Sequence, residues 1–418
     1  MRSPAAALLT LLAAAPVAGG ATGTFLDRWD ADDIRVVSYN GYADVMFGDG
    51  RQPEWASSGD PETPTRFGRM MAAVDADVYL LQEIYEHSAA ETAALFDAVA
   101  PLPGRATWTA HQVNSNVIVS RWPLLKADGR AGHADALVDL PDAAFGTTDL
   151  YLINDHWLCC DNEEGRQRQS ILLSWWLEDL RTDPDLPTGT PIVIGGDLNT
   201  VGSGAPLATL LTGDAPPPWD RFLSDSPPDW DGTPIVDAVP PQNGRGPDVY
   251  TWRNDASTFD PGVLDHVLFT DSVLDAANRF VLNPSDLTPA ELAATGLEAD
   301  DALIVESTGW YDHLPVVVDF RLKPAVAVGD YDRDGAIGPG DYGAWAASFG
   351  QGAAPPADGN GDGVIDAADY TVWRDAAAPL SVTIPEPSSA ALVGFASLLG
   401  FAVRIGFAKQ VGRRGRGR

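Results

Sequence analysis

Lysine is almost missing from this chain: Lys126, Lys323 and Lys409 are the only three among 418 residues. With 27 basic residues against 59 acidic ones, the formal net charge is −32. Broad, salt-driven attraction to duplex DNA needs clustered cations, and this composition works against it. A few arginines and a bound cation would still offset charge locally. Arg121, Arg253 and the Arg166/Arg168 pair are the candidates. Cysteine is scarcer still, with Cys159 and Cys160 adjacent and alone. Two neighbouring cysteines make no disulfide framework, and without a further Cys or His cluster they complete no zinc site. Their Cα atoms lie about 3.8 Å apart across a trans peptide, shorter than a disulfide usually spans. A strained vicinal disulfide, which an oxidising compartment would permit, is preferred over two thiols, and both readings stay open.

What is present is a set of apolar, β-branched runs that deliver polar residues at their ends. Pro191-Ile192-Val193-Ile194 is stopped by Gly195-Gly196 and followed by Asp197 and Asn199. Residues two apart on an extended chain face one side, so both polar groups address one place. The competing reading of Asp-x-Asn is an Asx turn. Ile34–Tyr39 delivers Asn40, Asp77–Leu81 delivers Gln82 and Glu83, and Asp149–Ile153 delivers Asn154 and His156. Val263–Phe269 carries Asp265 within it, and Asp312-His313 opens the run from Leu314 to Val318. Polar residues gathered at strand ends predict one cleft at the rim of a sheet sandwich. Hard oxygen donors beside histidines and spare carboxylates suit magnesium-assisted attack on phosphate.

The ordered pieces Val37-Ser38-Tyr39-Asn40, Leu81-Gln82-Glu83, Asn116–Pro123, Asn154-Asp155-His156, Arg166–Gln169, Gly196–Asn199, Tyr250-Thr251-Trp252, Leu264-Asp265-His266 and Asp312–Pro315 resemble the endonuclease/exonuclease/phosphatase superfamily. The resemblance implies an α+β fold, a four-layer α/β/β/α sandwich of two mixed sheets. It implies that Asn40, Glu83 and Asp312 hold Mg2+ (or Mn2+), with Glu83 the main ligand. His313 becomes the acid/base at the phosphoryl group, oriented by Asp265. Asp197 positions or deprotonates the attacking water, while Asn199 and His156 bond phosphate oxygens. His266 is read as packing, and His87, His111 and His133 as surface or loop residues. Arg166 to Arg181 reads as a helix with Leu172, Trp176 and Leu180 on one face. Insertions at 213–228 and 283–306 are candidates to shape the substrate groove.

Four segments follow. Residues 1–22 read as a signal peptide, with Arg2 before an apolar core from Ala5 to Ala15 that is too short to span a bilayer. Residues 23–324 form the catalytic domain. In 325–381, Asp330, Asp332, Asp334 and Asp341 are repeated about 28 residues on by Asp358, Asn360, Asp362 and Asp369. Oxygens at loop positions 1, 3, 5 and 12 with Gly at 6 match a Ca2+ loop. With one helix after each loop, this pair resembles a type I dockerin, a small α-helical module whose partner is a cohesin. Residues 382–418 combine Pro385-Glu386-Pro387, an apolar stretch and an arginine-rich end, and resemble a PEP-CTERM sorting signal, cut by a membrane transpeptidase. An uncleaved anchor is the alternative. Together these features imply an exported phosphodiesterase at the surface or in the matrix of a Gram-negative-type bacterium, with nucleic acid favoured as substrate. A sphingomyelinase-like lipid phosphodiesterase, a phosphomonoesterase and a non-enzymatic matrix-binding protein are the alternatives.

Overall fold

The computed structural model describes residues 23–49, 51, 63–130, 132–183, 185–238, 240–255, 258–302, 312–323, 329–332, 336–350, 357–360 and 364–377. The expected signal peptide, the sorting segment, Asp334 and Asp362 lie outside these residues. The chain divides into two compact units at Lys323/Pro324.

In the first unit the strands are β1 (Ile34–Asn40), β2 (Val78–Gln82), β3 (Thr109–Val113), β4 (Asn116–Ser120), β5 (Leu124–Asp128), β6 (Ala134–Val138), β7 (Leu150–His156), β8 (Ile192–Asp197), β9 (Val236–Asp237), β10 (Asp265–Phe269), β11 (Leu274–Val281) and β12 (Val316–Leu322). They form two mixed sheets, ordered β11-β12-β1-β2-β4-β3 and β5-β6-β7-β8-β10-β9. Each sheet has one parallel pair near its centre, β1/β2 in one and β7/β8 in the other. Both faces of those strands are covered, so they are buried along almost their whole length, with apolar runs that give way to polar residues at their carboxyl ends.

Helices α1 (Ala43–Phe47), α2 (Thr63–Val74), α3 (Ala89–Val99), α4 (Asp142–Phe145), α5 (Glu163–Arg181), α6 (Ala205–Thr212) and α7 (Pro289–Thr295) complete the unit. Phe67, Met70, Met71 and Val74 of α2 and Phe96 of α3 share a core with β1, β2 and β4. Leu173, Leu177 and Leu180 of α5 and Leu210 of α6 pack on Tyr151, Ile153, Ile192, Ile194 and Leu268 of the other sheet. This is the α+β sandwich of two mixed sheets that the family resemblance implies. The face expected of α5 needs correction, because Leu172 is exposed and Ile171, Leu173 and Leu177 are buried. Residues 213–228 are held against α5 through Trp175 Nε1 to Phe222 O and Arg181 to Pro227 O.

The Gly pair does not stop β8, which runs through both glycines to Asp197. A Cβ on Gly195 would meet Leu80 Cδ1 at 2.5 Å, and one on Gly196, at φ +159°, would meet Asp155 O at 1.8 Å. Gly195 is there because the other sheet approaches closely at Leu80, and Gly196 because the adjoining strand β7 brings in Asp155 O; no turn begins. Polar bonds cross the same interface. Gln82 Nε2 donates to Asn154 Oδ1 at 2.6 Å, and Asn154 Nδ2 donates to Leu81 O and Val117 O at 2.8 and 3.0 Å.

The second unit has α8 (Pro339–Ser348) and α9 (Ala367–Ala377). Its two halves make matching bonds. Asp341 accepts Asp332 N and Gly338 N, as Asp369 accepts Asn360 N and Asp366 N. Trp345 Nε1 donates to Asp366 O, and Trp373 Nε1 to Gly338 O.

Candidate active site

The cleft lies at the carboxyl ends of the two parallel pairs, where an open α/β arrangement presents strand ends to a ligand. Asn40 ends β1 opposite Gln82, and Glu83 follows directly. His156 ends β7 opposite Asp197, which is also paired with Asp265 of β10. Strand register thus puts Asp197 between a histidine and a second carboxylate.

Two of these side chains turn into the cleft through left-handed backbone, Glu83 at φ +62° and Asn199 at φ +47°. Such conformations cost a non-glycine residue on the order of 1–3 kcal/mol and are kept where surrounding bonds fix them. Glu83 O accepts Ala43 N at 3.0 Å. Asn199 N donates to Asp197 Oδ1 at 3.0 Å, and its Nδ2 to Trp157 O at 2.9 Å. The Asx-turn reading and the site reading are therefore both met: Oδ1 of Asp197 closes the turn while Oδ2 faces the cleft.

Around Asp197 Oδ2 stand Asn40 Nδ2 at 3.0 Å, His156 Nε2 at 3.5 Å and His313 Nε2 at 3.6 Å. His313 Nδ1 lies 2.8 Å from Asp265 Oδ2. Asp265 N is itself held by Thr251 Oγ1 at 2.9 Å. Glu83 Oε1 is 3.8 Å from His156 Nε2, and Asp312 Oδ1 is 4.0 Å from His313 Nε2. Asp312 also accepts Asn254 Nδ2 at 3.3 Å. All eight residues expected in the cleft are brought to it.

Burial shapes their charge. It pushes the Asp197 carboxyl up to about 6, against the pull of His313, with Asp265 adding to the rise. Burial likewise raises Glu83, opposed by His156 and His313. It lowers His156 despite Glu83 nearby. For His313 burial pulls downward, but Asp265, Asp197 and Asp312 outweigh it and hold the imidazole well above its usual value.

The donor set fits a hard cation. Asn40 Oδ1 is buried without a hydrogen-bond partner, beside a desolvated Glu83 carboxylate. An orphaned amide oxygen next to a carboxylate is what a divalent ion would satisfy. The acid/imidazole atoms lying closest together are a different trio, Asp197, Asp265 and His313. Since both His313 nitrogens face carboxylates there, that trio is better suited to moving protons than to ligation.

Other residues depart from expectation. Arg121 pairs with Asp75 and Asp77, before the start of β2 and away from the cleft end. Arg166 is buried and donates to Leu158 O, Cys160 O and Val201 O at 2.9, 3.0 and 2.8 Å, bolting together the loops on either side of Asn199. Arg168 pairs with Glu164 on the surface. Only Arg253 touches a cleft residue, through its backbone N to Asp312 O, while its side chain pairs with Asp255. His266 is more than packing: its Nδ1 meets Asp237 Oδ2 at 2.7 Å and its Nε2 meets Thr200 Oγ1 at 2.9 Å, beside Asn199. His87 and His133 lie in loops, as expected, but are buried, and His111 lies within β3. His87 stacks on Phe47, and burial lowers its pKa. Cys159 and Cys160 are free, exposed thiols, not a disulfide. The peptide between them is trans, which keeps the Cα atoms at their full separation, and Cys160 sits at φ +66°.

The pattern of the endonuclease/exonuclease/phosphatase family matches residues 38–286, which contain every cleft residue but Asp312 and His313. The chain belongs to that family. Members of this family hydrolyse phosphodiesters and phosphate esters. Solved structures of similar architecture include the human Nocturnin catalytic domain with bound sulfate, 14% identical over 70% of this chain and 95% of that one, TM-score 0.40. TDP2 from C. elegans is 15% identical over 69% and 75%, TM-score 0.40. A mannosyl-6-phosphatase from Bacteroides thetaiotaomicron is 13% identical over 69% and 99%, TM-score 0.41. No curated protein sequence matches the chain.

In the second unit, carboxylate oxygens of Asp330, Asp332 and Asp341 come together. Asp358 and Asn360 lie in the matching stretch before Asp369.

Proposed function

We propose that this chain is an exported, divalent-metal-dependent phosphodiesterase that hydrolyses nucleic acid outside the cell. The carrying observation is His313 placed between Asp265 and Asp197, with the unpaired Asn40 oxygen and Glu83 alongside. Asn40, Glu83 and Asp312 would hold Mg2+ or Mn2+. Bound there, the ion would neutralise charge on the phosphoryl and leaving oxygens. Asp197 Oδ2 accepts a proton from the attacking water; a carboxyl near 6 is matched to that task around neutral pH. Asp265 accepts from His313 Nδ1–H and so keeps the Nε2 proton aimed into the cleft, ready for the leaving oxygen. Asn199 has one amide hydrogen committed to Trp157 O, and its other hydrogen serves a phosphate oxygen. His156, kept neutral by burial, donates to a second oxygen.

The family likeness of His156 to deoxyribonuclease- and sphingomyelinase-like branches supports diester over monoester substrates. Export rests on the terminal segments, with the C-terminal one read as substrate of a sorting transpeptidase. The acidic clusters of the second unit are read as Ca2+ loops of a dockerin-like module with a cohesin-like partner. Among the described residues no helix is long and apolar enough to cross a membrane.

The test uses the full chain with plasmid DNA, a sphingomyelin dispersion and a generic phosphomonoester, each with magnesium or EDTA, beside His313→Ala. Magnesium-dependent DNA cleavage lost in the variant supports the reading. Turnover of lipid or monoester alone keeps the chemistry and changes the substrate. Silence on all three from folded protein rejects the enzyme.

A further inference from the structure

The loop from Trp157 to Cys160 hangs between two cleft residues. Trp157 N donates to Asp197 O, and Trp157 O accepts Asn199 Nδ2, both at 2.9 Å. The outer part of the loop is pinned from behind: Leu158 N donates to Gln169 Oε1 at 2.8 Å, and Arg166 takes Leu158 O and Cys160 O. At its tip stand the chain's two thiols, exposed and adjacent. The carbonyl held by Arg166 belongs to Cys160, whose φ of +66° is one that L residues seldom adopt. A trans peptide holds neighbouring Cα atoms about 3.8 Å apart, less than a disulfide normally spans, so joining the two sulfurs strains the Cys159–Cys160 peptide and must twist it. A twist there turns the Cys160 carbonyl and withdraws it from Arg166. Because Arg166 also holds Val201 O, the strain reaches both sides of Asn199.

We propose that Cys159 and Cys160 are an oxidation site on the lip of the cleft, whose disulfide form displaces Asn199 and lowers turnover. The oxidant is a low-molecular-weight disulfide. Cys159 Sγ attacks one of its sulfurs as thiolate, forming a mixed disulfide and releasing one small thiol. Cys160 Sγ then attacks the Cys159 sulfur, expels the second thiol and closes the bond. The protein loses two protons and two electrons, and the oxidant leaves as two thiols. Burial, and after it the neighbouring Cys160 thiol, push Cys159 up to about 11, so the Cys159 thiol rests protonated.

The consequence for turnover rests on the phosphodiesterase reading, and the test separates the two. Full-length protein is treated with oxidised glutathione and alkylated with N-ethylmaleimide. Intact mass then reports the number of free thiols. Amide hydrogen exchange is followed at Trp157 and Asn199, and kcat on DNA with magnesium is measured. The oxidised protein takes up no maleimide, exchanges faster at both amides, and loses about tenfold in kcat, the worth of one phosphate-facing hydrogen bond. Dithiothreitol restores all three. Cys159→Ser/Cys160→Ser keeps its kcat and ignores glutathione. Two maleimides after oxidation, or a disulfide with unchanged exchange, overturns the proposal even if the protein turns over no phosphodiester. Loss of kcat in the double variant on oxidation overturns it as well.

Discussion

His313 Nδ1 and Asp265 Oδ2 lie 2.8 Å apart although 48 residues separate them in sequence. Asp265 comes from a strand and His313 from the segment ahead of β12, and Thr251 joins them. Its hydroxyl accepts Asp265 N, while its carbonyl accepts Leu314 N. Asp265→Asn keeps the shape but lets the imidazole take the wrong tautomer. The expected outcome is a fall in kcat of about 10²–10⁴ with KM nearly unchanged, measured on DNA under saturating magnesium. A fall smaller than about tenfold would remove Asp265 from the orienting role.

Magnesium is expected to raise the melting temperature of the wild type, and Glu83→Gln is expected to abolish that rise. At an ion concentration of one hundred times Kd the stabilisation would be about 2.7 kcal/mol. In EDTA the variant should be no less stable than wild type, because it removes a carboxylate that burial already disfavours in its charged form. Differential scanning calorimetry with and without metal reads both effects.

Asn154 is a polar tie between the sheets, bonding Gln82, Leu81 and Val117. Asn154→Ala leaves buried groups on three residues without their partner. We expect a loss of about 2–4 kcal/mol in urea unfolding and a reduced kcat. Asn154→Ala with Gln82→Leu should recover part of the stability, since the buried Gln82 amide, left with only Leu80 O on Nε2 and no partner on Oε1, is then gone.

Strand ends were readable because β-branched runs are local and the polar residues terminating them are conspicuous. That pattern places Asn40, Glu83, His156, Asp197, Asp265 and His313 without any structure. The supports were not readable. Asp237 holds His266, Thr251 holds Asp265, and Arg166 holds carbonyls 6, 8 and 35 residues away. None of these pairings leaves a periodic trace in the chain. The Gly195-Gly196 pair misled for a related reason. Its local meaning is a chain stop, whereas its actual cause is Leu80 on the facing sheet and Asp155 on the neighbouring strand.

Asp341 and Asp369 each accept two backbone amides in equivalent places. Calcium should strengthen the near-ultraviolet dichroism of the Tyr342, Trp345, Tyr370 and Trp373 cluster in the full chain. EGTA should reverse it, and Asp369→Ala should prevent it. A spectrum indifferent to calcium would reject the loop assignment.

The α3 cap gives a pH test remote from the cleft. Backbone and hydroxyl bonds from Ser88, then Arg51, draw the exposed Glu91 carboxyl down to about 2 from an ordinary 4.5. Its folded pKa lies below the unfolded one, so the stabilisation is complete above about 4.5 and disappears as pH falls toward 2. Urea midpoints of wild type and Glu91→Gln should differ at pH 6 and converge near pH 2.

Asn40 and Asp197 belong to opposite sheets, yet a 3.0 Å bond joins them. One residue of strand advances about 3.3 Å, more than the length of that bond. A slip of one sheet across the other by a single step would scatter the catalytic groups while every ladder stayed intact. The constellation is thus a vernier for the sandwich, with turnover reading the alignment of two plates whose own integrity it does not measure.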